Sequence, residues 1–287
     1  MLHRVDIDLN GCEAFQHLID EGLVTNHECK TYREYDKCID KLGKTVSPGD
    51  VIVVDTLNRA VDLFLDWQLI QVRLKPGQTP SDLQEITNPS NLLNLYGQCG
   101  NYVIEPLRGI PCQLIMLCHE GEKFFDAKTG RVVKYDRESN TGSLPDLVAP
   151  EGLVLGAAAR LPAKAMRTAF DMCSDVFRIG RLMHEKIDEI DGKRIKFPAG
   201  TRVLNVSDTV AILAKVHVAV EQYRKLRDNL YDPTLPRLYR MLGLKPRVLM
   251  FYGPPGVGKS ALAVSVQEDE YKKRHTVKID ERKPVNV

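Results

Sequence analysis

The sequence predicts an α/β fold: a mainly parallel sheet flanked by helices, with the strand that carries the most specific motif at the C-terminal end of the chain. Three observations lead there. Short, unbroken apolar runs, "VIVV" (51–54), "LIMLC" (114–118) and "VLMFY" (248–252), have the form of strands buried on both faces. Segments with helical spacing separate them, and that alternation implies parallel pairing. The third run leads into "GPPGVGKS" and then into a helix-forming segment, which gives strand, glycine-rich loop and helix in succession.

Residues 4–9 alternate polar and apolar as a short strand. "EAFQHLIDEGL" (13–23) and "TYREYDKCIDKLGK" (31–44) have helical spacing, the second with Thr31 as N-cap and Gly43 near its end. "SPGD" turns the chain into the strand "VIVVDT", and "RAVDLFLDWQLIQV" (59–72) follows as an amphipathic helix. Residues 74–101, rich in Pro, Gly, Asn and Ser, are expected to be a loop with a short helix. "CQLIMLCHE" (112–120) is the next buried strand, and the turn-rich stretch 121–143 is a hairpin or an excursion. "AAARLPAKAMRTAFD" (157–171) reads as helix, "SDVFRIGRLMH" (174–184) as strand and "GKRIKFPAGTRVL" (192–204) as a hairpin. A long helix is expected over 207–230, capped by Ser207 or Asp208, and a second helical piece over 232–246 delivers the chain to the strand at 248. One more strand is expected at 275–280.

A chain of 287 residues suits one large α/β domain or two small ones. A net charge of +2 does not announce a nucleic-acid binder. Seven scattered cysteines without a C-x-x-C pair argue against a disulfide framework and a zinc site, and point to a reducing cytoplasm. No apolar run resembles a signal peptide or is long enough to span a bilayer, so no membrane partner is expected.

The loop fits G-x-x-x-x-G-K-[ST] through Gly253, Gly258, Lys259 and Ser260, with Pro254, Pro255, Gly256 and Val257 between and Ala261 next. Glycines let backbone N–H groups curl around a phosphate, and the helix start adds partial positive charge. Lys259 is placed to reach the β- and γ-phosphates, and the Ser260 hydroxyl to bind Mg²⁺, so ATP and Mg²⁺ are the expected ligands. Such a loop needs further parallel strands, one ending in an acid and one in a polar group. The residues after Lys259 are too few to supply them. The front of the chain does. "VIVV" ends in Asp55, in the form of a Walker B strand, with Thr56 beside it; "LIMLC" ends in His119 and Glu120. Asp55 is the expected partner of Ser260 at the metal, and His119 the expected γ-phosphate sensor.

The chain therefore reads as a circularly permuted domain. Residues 1–206 carry the Walker B and sensor strands, 207–246 form a helical connection joining the ancestral termini, and 247–287 supply the P-loop strand, its helix and a tail. In that order, "RVLMFYGPPGVGKSALAVSV", "VDIDLNG", "GDVIVVDTLNRA", "LIMLCHE" and "LPDLVAPEGLVLGAAARLPAKAMRTAFDMCSDVFRIGR" resemble the RecA-superfamily P-loop ATPases of bacteriophages, the single-domain type associated with single-strand annealing and recombination.

The resemblance implies ATP hydrolysis coupled to single-stranded DNA in phage-type recombination or replication, within the host cytoplasm. It implies an acid that orients water: Asp8 stands where the family often has glutamate, and Glu120, Asp280 and Glu281 are its rivals. It also implies a homo-oligomer that completes the site in trans with Arg178, Arg181, Arg160 or Lys164. The basic-leaning "YKKRHTVKIDERK" (271–283) is the candidate DNA contact. A second reading is a nucleotide-dependent binding or assembly module with little hydrolysis. A third, an unrelated domain ahead of a P-loop fragment, predicts that Asp55 and Lys259 lie far apart.

Overall fold

The computed structural model describes residues 1–9, 13–73, 96–126, 128, 132–133, 153–190, 192–206, 215–216 and 229–275. Among these, eight strands form one path in the order β11-β10-β7-β12-β4-β3-β1-β2. They are β1 (Leu2–Asp6), β2 (Val24–Glu28), β3 (Val51–Asp55), β4 (Gln113–Asp126), β7 (Asp175–Arg181), β10 (Arg202–Asn205), β11 (Asn229–Tyr231) and β12 (Val248–Gly253). Every pair from β7 through β12, β4, β3 and β1 to β2 is parallel; β10 runs antiparallel to β7 and to β11. The second half of β4 runs on past the parallel sheet and pairs antiparallel with β5 (Val132–Val133) and β6 (Leu153–Ala159). A separate hairpin joins β8 (Lys186–Ile190) to β9 (Lys193–Phe197).

β12, the last strand among the described residues, thus lies inside the sheet, between β4 and β7. Register aligns the strand ends. Asp6 pairs with Asp55, Asp55 with Leu117, and Gly253 with His119, so the carboxyl ends of β1, β3, β12 and the parallel half of β4 share one edge. In open α/β sheets that edge is where ligands bind.

Both faces of the sheet are covered, which is why its central strands are unbroken apolar runs. Ile52, Val54, Met116 and Met250 pack on one face with residues of α2 (Tyr32–Thr45), α3 (Leu57–Arg73) and α5 (Ala163–Met172). Val53, Ile115, Leu249 and Phe251 pack on the other with α1 (Gln16–Asp20), α6 (Leu235–Leu242) and α7 (Lys259–Ala263). Each such fully buried side chain contributes about 1.5–3 kcal/mol. A 3₁₀ turn (Glu13–Phe15), a π-helix (Gly100–Ile104), α4 (Glu105–Arg108) and α8 (Ser265–His275) complete the described elements.

Thr31 caps α2 as expected, in a full capping box with Glu34, and Gly43 lies near the end of that helix, in its last turn. Other expectations are corrected. β1 ends at Asp6, and Leu9 takes φ 54°, because the chain must bend away from the sheet edge there. Residues 157–159 are strand, not helix: three alanines fit against Glu120, Gly121 and Glu122 of β4, and the helix starts only after Pro162. The expected hairpin over 192–204 does not form, since β9 pairs with β8 and β10 with β7. Asn229 and Leu230 belong to β11, and Lys215 makes an antiparallel bridge to Val176, so the expected long helix does not run through them. Val24–Glu28 form an edge strand that has no apolar run to announce it. His275 ends α8, and the rest of the expected strand to Asp280 lies outside the described residues, as do Ser207, Asp208, Glu281 and 74–95. Among the described residues, no helix is long and apolar enough to cross a membrane.

Candidate functional site

The glycine-rich loop leaves β12 at Gly253, where a Cβ would stand 2.0 Å from the Ile179 carbonyl oxygen of β7. No other residue fits that approach. Gly258, with φ 96°, caps α7 in a conformation that L residues resist. Lys259 opens α7, is buried, and donates from Nζ to the carbonyls of Gly253 (3.0 Å) and Pro254 (2.8 Å). The loop's own carbonyls thus hold the ammonium.

Ser260, one residue on, reaches the other end of the sequence. Its Oγ donates to Asp55 Oδ2 at 2.7 Å, across a separation of 205 residues. The same oxygen accepts from Arg4 Nε at 3.0 Å and lies 2.9 Å from Arg4 Nη2. Arg4 also donates from Nη1 to Asp6 Oδ2 (2.7 Å) and Asn26 Oδ1 (3.1 Å), and its guanidinium lies 5.0 Å from the centroid of the Phe15 ring. Arg4, Asp6 and Asp55 are 2%, 2% and 4% exposed, so this is a buried ion-pair network. Burial pushes the Asp6 carboxyl up, against the opposing pull of Arg4.

Asp6 has a second task. Its Oδ1 accepts from Leu9 N at 3.1 Å, which fixes the bend after β1, while the Asp55 carbonyl accepts from Ile7 N at 2.8 Å. The bend presents Asp8 to the neighbouring strand ends. Asp8 Oδ2 accepts from Thr56 Oγ1 at 3.1 Å and lies 3.3 Å from His119 Nε2. The Asp55–Thr56 peptide itself is cis. His119 is positioned from behind: its N–H donates to Asn58 Oδ1 at 2.6 Å, Asn58 Nδ2 donates to the Arg160 carbonyl, and Arg160 N donates to the His119 carbonyl at 2.8 Å. His119 Nδ1 is buried without a hydrogen-bond partner among the described residues.

Glu120 is held otherwise. Arg178 grips it from β7 with Nε (2.9 Å) and Nη2 (3.3 Å). Of the four cations proposed to act in trans, Arg178 is therefore engaged within its own chain, while Arg160, Arg181 and Lys164 are exposed. Asp280 and Glu281 lie outside the described residues.

Asp8, Asp55, Thr56, His119, Lys259 and Ser260 line one cavity of about 420 Å³, together with Gly256, Gly258 and Ala261 of the loop. That size lies within the range of about 300–1,000 Å³ usual for small-molecule sites. A hydroxyl and a carboxylate in contact, beside a lysine and a glycine loop, fit Mg²⁺, which takes hard oxygen donors from one or two carboxylates plus substrate phosphates. Pro254, Pro255 and Val257 complete the loop, with Val257 buried beneath it.

Burial holds the Lys259 pKa below its ordinary 10.5, although Asp55, Cys118, Asp8 and Glu120 pull it up. A bound triphosphate raises that pKa by favouring the charged form, so binding takes up a proton in a window that opens at the lowered value. Nucleotide affinity is therefore expected to fall as pH rises through that window, measured by titration with a fluorescent ATP analogue. Lys259→Ala must flatten the fall; a wild-type profile flat up to pH 10.5 contradicts it.

Sequence reasoning missed Arg4, Asp6, Asn58 and the Arg178–Glu120 pair. One signal was present. In "RVDID" the polar residues 4, 6 and 8 recur with period two, so one strand face carries a cation and two acids.

No protein-family model matches the chain, and no solved structure matches it. One segment of 61 residues, 21% of the chain, is 43% identical to a segment of the ATP-dependent zinc metalloprotease FtsH of Corynebacterium glutamicum. The match spans 7% of that relative's length. With the mainly parallel sheet flanked by helices, this partial likeness agrees with a P-loop ATPase fold and an ATP-binding role.

Proposed function

We propose that the chain is a RecA-like P-loop ATPase in circularly permuted order, which binds and hydrolyses ATP–Mg²⁺. The observation that carries this reading is the 2.7 Å contact between Ser260 Oγ and Asp55 Oδ2. Strands β1, β3 and β4 from the front of the chain and β12 with the loop that follows it contribute to one sheet and one cavity. In this reading 207–246 is the joint between the ancestral termini, and its strand β11 extends the same sheet through β10. Gln113 supports the joint as a structural seam: it donates to the Pro246 carbonyl at 2.7 Å and accepts from Tyr239 of α6 at 3.0 Å.

In this reading the loop backbone and Lys259 bind the phosphates, and Ser260 and Asp55 orient the metal. Bound Mg²⁺ supplies charge neutralisation at the transferring phosphoryl group. Asp8 accepts a proton from the attacking water, with His119 beside it to sense the γ-phosphate. Arg160, Arg181 or Lys164 of a neighbouring copy completes the charge stabilisation. Single-stranded DNA as the effector, phage-type recombination or replication as the setting and the host cytoplasm as the location come from the sequence resemblance.

The grip of Arg178 on Glu120 favours a second reading, a nucleotide-dependent assembly module, because among the described candidates it leaves Asp8 as the acid. Steady-state ATP turnover with and without a single-stranded oligonucleotide separates the two. Turnover stimulated by DNA is the expected result. Tight ATP binding with no turnover in either condition would overturn the ATPase reading in favour of the module.

A further inference from the structure

The sheet carries a second cavity, of about 310 Å³, on the β7-β10-β11 side and apart from the loop. We infer that it binds a phosphate group. Arg178, Arg181 and Lys186 line it with Asn205 and Asn229, and no described lining residue is a carboxylate.

The cavity is built by strand register. Arg178 pairs with Asn205 and Asn205 with Asn229, which sets a guanidinium and two amides in a row across three strands. Gly180 lies two residues along from Arg178 on the same face. A Cβ there would stand 3.1 Å from Arg178 Nη1, so the glycine opens the space over which the guanidinium projects. Glu120 fixes that guanidinium through Nε and Nη2 and leaves Nη1 without a hydrogen bond to a described residue.

Arg181 spends one bond from Nη1 on the Gly200 carbonyl, at 3.2 Å. Asn205 Nδ2 donates to Asn229 Oδ1 at 2.7 Å, so that oxygen is already matched and Asn229, which lines the cavity, keeps its Nδ2 group as a donor. Lys186 comes from the β8–β9 hairpin, which the Tyr231 ring holds in place: Phe197 stacks on it at 3.9 Å and Asp188 accepts from its hydroxyl at 2.7 Å. The two acids at the border, Glu120 and Asp188, are each engaged. Forked guanidinium donors and amides in fixed positions match the several oxygens of a phosphate.

The phosphate can be free inorganic phosphate or part of a nucleic-acid backbone. The inference stands on this cavity alone and does not require ATP hydrolysis. Its test uses the full chain carrying Lys259→Ala, which disables the glycine loop, with inorganic phosphate titrated in and followed by amide NMR. Saturable shifts centred on Gly180, Asn205 and Asn229 are expected, with an affinity at least tenfold weaker once the exposed Arg181 and Lys186 are also changed to Ala. Absence of such shifts, or an affinity unchanged by those two substitutions, overturns the inference. A single-stranded oligothymidylate that displaces the phosphate assigns the site to a phosphodiester backbone; one that does not assigns it to free phosphate. Failure here leaves the reading of the glycine-loop site standing, because that reading is measured by turnover of the wild type.

Discussion

Asp55→Asn is expected to lower Mg²⁺-dependent ATP turnover about 10–100-fold, the cost usual for losing a group that orients a metal and its ligands. The substitution keeps the shape and removes the charge. Ser260 loses its anionic partner at 2.7 Å, and the metal loses the carboxylate that the geometry places beside the hydroxyl. Affinity for nucleotide without Mg²⁺ should change less, because the loop backbone and the Lys259 side chain remain, although one of the charges that favour the protonated lysine is gone. Turnover at saturating Mg²⁺, read beside the thermal midpoint, checks the prediction. A variant as active as the wild type would remove Asp55 from the site.

The largest effect on stability is expected at Arg4. Arg4→Met leaves Asp6 and Asp55 buried without their cation, and breaking a buried pair by removing one partner costs about 3–5 kcal/mol. Against a typical total of about 5–15 kcal/mol, that loss will show as a clear fall in the urea midpoint. The pH dependence has a fixed sign. Asp6 already has a raised pKa, so its contribution favours the folded state at low pH and is lost as pH rises through the folded value. Without Arg4 the shift grows, and the deficit of the variant must shrink on acidification. A deficit that grows at low pH, or a loss below about 1 kcal/mol, would mean that Arg4 is not the counter-ion the geometry describes.

What the sequence revealed follows from how each element is buried. β3, the parallel half of β4 and β12 are covered on both faces, so burial alone forces apolar residues at every position and the runs are plain to see. β2 is an edge strand in which Val24 alone is fully buried, and its "VTNHE" carries no pattern. The alanines at 157–159 have strong helix propensity, yet their backbone is claimed by β4; pairing across the sheet overrides local preference. The site was legible where one short motif spans it, in the loop from Gly253 to Ala261. Asp55 and His119 were legible as polar residues at strand ends. Arg4 was not: its role depends on Asp55 and Asn26 from neighbouring strands, a relation fixed by register and invisible in a linear reading. The Arg178–Glu120 pair is the same case, joining β7 to β4 across β12.

The central claim is that residues from the two ends of the sequence serve one ATP–Mg²⁺ site. A double-mutant cycle tests it most directly: the Mg²⁺-dependent affinity for ATP of the wild type, Ser260→Ala, Asp55→Asn and the double variant. Groups that act together on one ion are coupled by about 0.5–3 kcal/mol. The double variant is therefore predicted to bind only slightly more weakly than Asp55→Asn alone. Strictly additive losses, or an Asp55→Asn affinity equal to that of the wild type, would mean that the front of the chain and the glycine loop do not share a site.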